Sequence, residues 1–111
     1  MVNELQAIIA ELGGEKILGR TLRSTNDLQA AIREGFPQSV VGCIMNSTGL
    51  TLKQLSESLD LSPRSLQRRR ETGRLARYES DRLYRLARIV ALAKQYIGNE
   101  ETASRWLKRP N

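Results

Sequence analysis

The sequence predicts an all-α protein, and three observations predict it. Apolar residues recur at three- and four-residue spacing almost throughout the 111 residues, the mark of amphipathic helices. The stretches are punctuated as helices are, with Ser or Thr before them and Gly or Pro after. No repeat or low-complexity tract interrupts this pattern. The length suits a single domain, or one domain with an appended piece.

Taken in order, Leu5, Ile8, Ile9 and Leu12 write a short amphipathic helix that Gly13-Gly14 stops. The stretch from Glu15 to Arg23, with Ile17, Leu18 and Leu22, is short and glycine-bounded and reads as an extended segment or turn. Ser24 or Thr25 caps a helix carrying Leu28, Ala31 and Ile32, and Gly35 before Phe36-Pro37 ends it. A further helix over roughly 38–46 buries Val40, Val41, Ile44 and Met45, and Ser47-Thr48-Gly49 breaks it. Thr51 and Gln54 have the spacing of a capping box, opening a helix whose Leu52, Leu55 and Leu59 face inward. Ser62-Pro63 is the clearest start signal, an N-cap followed by proline at the first helical position. That helix runs to about Glu71, and Gly73 supplies a left-handed cap. From about Arg77 a long helix continues to Ile97, and a last one, capped by Asn99, carries Ala103, Trp106 and Leu107 up to Pro110.

The segment TLKQLSESLDLSPRSLQRRR, residues 51–70, has helix-turn-helix spacing. Leu55, Leu59, Leu61 and Leu66 are the apolar positions that lock the two helices. Ser56 is small where they cross, and Asp60 occupies the turn, where a left-handed conformation is needed and Asp tolerates it. In the second helix Pro63, Arg64, Gln67 and Arg68 lie on the outward arc, Arg64 and Arg68 on one face four residues apart. These two can reach guanine O6 and N7 in a major groove. Ser62, Ser65 and the helix N-terminus suit phosphate contacts. Arg69 sits beside the inward face and is expected to pair with an acid or a phosphate. Arg70, Arg74 and Arg77 extend the basic surface along the backbone of the nucleic acid.

Composition narrows the chemistry. Nine of the 14 arginines fall between Arg64 and Arg88, against only Glu71, Glu79 and Asp81 in that window. The window's excess of six positive charges equals the net charge of the whole chain. Arginine in preference to lysine points to bidentate recognition of phosphates and base edges. Without histidine there is no imidazole base or imidazole metal ligand, so neither an enzyme nor a metal cofactor is expected. A single cysteine forms no intrachain disulfide, which fits a cytoplasmic protein, and Cys43, among Val40, Val41 and Ile44, is expected in the core. No apolar run approaches the roughly 20 residues that span a bilayer, so no membrane partner is expected.

The long helix carries two apolar stripes. Leu83, Leu86, Val90, Ala93 and Ile97 suffice to pack it on the domain. Ile89, Leu92 and Tyr96 form a second stripe that needs another neighbour: a second copy of the chain, a protein partner, further C-terminal segments, or Trp106 and Leu107.

Several stretches together resemble the antitoxins of the Xre/MbcA/ParS group, partners of RES-domain toxins in bacterial two-gene modules. They are ELGGEKILGRTLRSTNDLQAAIREGFP (11–37), LDLSPRSLQRRRETGRL (59–75), ESDRLYRLARI (79–89), and Trp106-Leu107 followed by Pro110-Asn111. The resemblance implies a Xre/Cro-type helix-turn-helix (51–71) within an N-terminal helical domain (1–75), and a toxin-binding segment beginning at residue 76. Members usually open the long helix with Ser/Thr-Pro, where this chain has Ala76-Arg77, so a weaker cap is expected. Members also continue past the Pro-Asn pair, so the toxin-binding segment (76–111) is expected to be incomplete. What the resemblance implies is an antitoxin that binds double-stranded operator DNA for autoregulation and, when intact, neutralises a RES-type toxin that consumes NAD. A homodimer would present two recognition helices to a pseudo-palindromic site. The alternatives are a Xre-type repressor without a toxin partner and an arginine-rich protein-interaction module.

Overall fold

The computed structural model describes residues 4–97, with the backbone alone at 68–72 and at 97. Among the described residues seven helices follow one another: α1 (Glu4–Glu11), α2 (Gly14–Leu18), α3 (Thr25–Glu34), α4 (Ser39–Thr48), α5 (Leu52–Leu59), α6 (Pro63–Thr72) and α7 (Arg77–Ile97). Among the described residues the sole extended pairing is an antiparallel bridge between Pro37 and Arg74. The fold is all-α, as expected. The helix expected from Asn99, with Ala103, Trp106 and Leu107, lies outside the described residues.

Local side-chain chemistry sets the starts of α3 and α5. The Ser24 hydroxyl accepts the Asp27 N–H at 3.2 Å, and the Asp27 carboxylate accepts the Arg23 N–H at 2.9 Å. At α5 the capping box is complete: Thr51 Oγ1 accepts the Gln54 N–H at 3.1 Å, and Gln54 Oε1 accepts the Thr51 N–H at 2.9 Å. These bonds satisfy donors that no helical carbonyl reaches.

Two segments differ from the expectation. Residues 14–18 form a short helix where an extended segment or turn is expected. Gly13 and Gly14, at φ 104° and 87°, turn the chain after α1, and the new helix sets Leu18 into the core. Gly19 closes it by donating its N–H to the Glu15 carbonyl at 2.8 Å. Helix α4 runs through Ser47 and Thr48, which were expected to break it. The buried Thr48 returns its hydroxyl proton to the Ile44 carbonyl at 2.7 Å, so Gly49 provides the stop. Cys43, expected in the core, is half-buried. It lies on the side of α4 facing Gly13, where a β-carbon would come within 2.7 Å of its Sγ.

Phe36, Leu12, Leu28, Ile44, Leu55, Leu66 and Leu83 fill one continuous core. Helix α7 crosses the back of this core, packing most extensively on α1 and next on α3. Its buried apolar residues are Leu83, Ala87, Val90, Ala91 and Ala93, whereas Leu86 is only half-buried. The inward stripe is thus rotated from the expected one, and alanine at 87 and 91 allows close approach of helix axes. Polar ties support the same packing. Arg88 Nε meets Glu4 at 2.8 Å, and Lys94 Nζ meets the nearly buried Glu11 at 2.9 Å. Ser47 of α4 donates its hydroxyl proton to Glu11. Among the described residues no helix is long and apolar enough to cross a membrane.

Candidate nucleic-acid interface

Helices α5 and α6 form the helix-turn-helix that the spacing predicts. Asp60 ends α5 at φ 54° and ψ 46°, the left-handed conformation that lets the chain reverse. The Leu61 N–H then donates to the Ser56 carbonyl at 2.8 Å, closing the turn. Leu55, Ser56, Leu59 and Leu66 are buried where the helices meet. Ser62 caps α6 by accepting the Ser65 N–H at 3.4 Å, and Pro63 opens it. The Gln38 side-chain amide of the α3–α4 loop donates to the Leu66 carbonyl at 3.4 Å.

The outward arc of α6 carries exposed Pro63, Arg64 and Gln67, with Ser62 exposed before it. Arg64 and Gln67 are three residues apart and share one solvent-facing side of the helix. Arg77 is exposed at the start of α7. The side chains of Arg68, Arg69 and Arg70 lie outside those described, although their backbone continues α6.

Two other candidate residues have inward engagements. Ser65 is half-buried and donates its hydroxyl to Glu79 Oε2 at 3.1 Å. Arg74 Nη1 donates to the Gly35 carbonyl at 2.9 Å, within a seam that joins the loops flanking the site. In that seam the Gln38 N–H donates to the Gly73 carbonyl at 3.0 Å, and the Leu75 N–H donates to the Phe36 carbonyl at 2.8 Å. The Phe36 N–H donates to Ser80 Oγ at 2.8 Å. The loop after α6 is therefore stitched to the loop before α4.

Helix α7 supplies groups that sequence reasoning missed. Glu79, fully buried, accepts the Ala76 N–H at 2.7 Å. This supplies the cap that Ala76 itself lacks, and a Glu three residues after the cap position was a readable signal for it. Arg82 Nη1 donates to the carbonyls of Leu59 at 3.1 Å and Asp60 at 2.9 Å, a long-range contact with no local signature. Further along, Ile89 is 49% exposed and Tyr96 87% exposed, with Leu92 between them half-buried. The described residues leave the second apolar stripe partly exposed, at Ile89 and Tyr96.

None of the curated proteins matches the chain. A family model, the antitoxin Xre-like helix-turn-helix domain, matches residues 27–88, from α3 through the helix-turn-helix to the middle of α7. That match takes in more than half of the sequence, and the chain belongs to the Xre-like helix-turn-helix antitoxin family.

Proposed function

We propose that this chain is the antitoxin of a type II toxin–antitoxin module. It binds operator DNA through α6 to repress its own promoter and, when intact, neutralises a RES-type toxin that consumes NAD. The observation that carries the DNA-binding part is the capped α6, presenting Arg64 and Gln67 to solvent from a helix-turn-helix in a family of antitoxins. Arginine is suited to guanine O6 and N7 and glutamine to adenine N6 and N7 in the major groove. The RES-type partner is supported by the resemblance of residues 11–37, 59–75 and 79–89. The partly exposed stripe of Ile89, Leu92 and Tyr96 supports a homodimer, because two copies would place two α6 helices on a two-fold site. Non-enzymatic action in the cytoplasm completes the reading.

Footprinting on the promoter upstream of its own gene tests the DNA-binding part. A protected tract with two-fold symmetry is expected, and protection with no sequence preference would overturn operator repression. Co-expression of the intact antitoxin with a RES-type toxin tests the second part. Restored growth and NAD content are expected, and undiminished NAD loss would leave a repressor without that toxin.

A further inference from the structure

A recognition helix discriminates bases only when its side chains arrive within about 0.5 Å of productive geometry. Helix α6 has little apolar surface to fix its pose: of residues 63–67 only Leu66 is buried. A helix with one core anchor in its first turns can roll about that anchor. Two side chains from the first two turns of α7 oppose the roll. Glu79 accepts the Ser65 hydroxyl at 3.1 Å, on the side of α6 away from Arg64 and Gln67, while its other oxygen accepts the Ala76 N–H at 2.7 Å. One turn on, Arg82 grips the carbonyls of Leu59 and Asp60, where α5 ends and the chain reverses. The Arg82 guanidinium is itself steadied over the Tyr78 ring, 5.7 Å from its centroid.

We infer that Glu79 and Arg82 are positioning residues for DNA recognition. They set the rotation and pitch of α6 by acting through Ser65 and the Leu59–Asp60 turn. The inference rests on reading α6 as the recognition helix. Its signature is a loss of discrimination, because the arginines that meet phosphates stay in place when α6 rolls.

The test uses the full chain and two duplexes: one selected by the wild type from a randomised pool, and a scrambled version of it. Glu79→Met keeps the length of the side chain and removes both acceptor oxygens, so the bonds to Ser65 and to the Ala76 N–H are both lost. Glu79→Met and Arg82→Ala should each reduce the ratio of selected to scrambled affinity by roughly five- to tenfold, as loss of one or two hydrogen bonds would. Affinity for the scrambled duplex should change far less. In the Ser65→Ala background, Glu79→Met should reduce the ratio by less than it does alone, since both substitutions remove the Ser65 bond. An unchanged ratio in both single variants would overturn the inference, as would a parallel loss on the two duplexes. Thermal melting checks folding, and if the buried Glu79 variant fails to fold, the half-exposed Arg82 variant decides alone. A wild type that selects no preferred duplex would sink the proposed operator binding, and this inference with it. A wild type that discriminates, with variants that discriminate equally well, would sink the positioning role only.

Discussion

An added methyl group is tolerated least at Gly35. Its φ of 93° lies in the region that side chains disfavour, and a β-carbon there would collide with the Leu75 carbonyl oxygen. Gly19 shares the positive φ, at 75°, but has open space around it. Gly19→Ala should therefore cost about 1–2 kcal/mol for conformation alone. Gly35→Ala should cost more, because it also parts the seam that ties the 35–38 loop to residues 73–75. Denaturant melts of the two variants check this, and equal losses would show that the collision relaxes freely. On the DNA-facing side, residues differ by what they touch. Arg64→Ala should cost about 1–3 kcal/mol on the operator and much less on random DNA, as a base-reading arginine does. Arg77→Ala should weaken both DNAs alike, as a phosphate contact does. Titrations on both DNAs distinguish the two outcomes, and equal losses for Arg64→Ala would make it a backbone contact.

Among the elements, α7 has an inner face that holds the fold and an outer face that the described residues leave partly exposed. Leu92→Glu places a charge on the outer face and leaves Leu83, Ala87 and Val90 in the core. It should reduce self-association in sedimentation without lowering the melting temperature appreciably. Strictly monomeric wild type at high micromolar concentration would remove the dimer from the account. The elements also show what sequence makes legible. Capping is local, so Ser24, Thr51 with Gln54, Asp60 and Ser62-Pro63 announce α3, α5, the turn and α6 from a few residues each. The outward placement of Arg64 and Gln67 follows from Leu66 facing inward. Helix α2 is a single short helix between glycines, too brief for periodicity to register. The seam between Phe36 and Leu75, the Glu11–Ser47–Lys94 cluster and the Arg82 grip join residues far apart in sequence. No local pattern encodes them. Ala87 and Ala91 were missed for another reason: alanine suits either face of a helix, and only the proximity of a neighbour decides it.

At the scale of the whole molecule, the arginine-rich window is divided between holding the fold and facing solvent. Arg85 pairs with Asp81 at 3.1 Å and Arg88 with Glu4 at 2.8 Å, while Arg74 and Arg82 serve backbone carbonyls. Arg64 and Arg77 are exposed, and Arg68, Arg69 and Arg70, whose side chains lie outside those described, are candidate DNA-facing charges from the sequence alone. This division lowers the number of phosphates the chain can neutralise below what the raw count of nine arginines suggests. The most direct test of DNA binding through α6 is the affinity for operator duplex as a function of salt. With about four phosphates neutralised per chain, Arg64 reading a base, log affinity should fall against log salt with a slope of about −3 to −4 per bound chain, at about −0.9 per phosphate. A slope near zero between low and moderate salt would contradict the account, because the basic face of α6 would then not be meeting a nucleic-acid backbone.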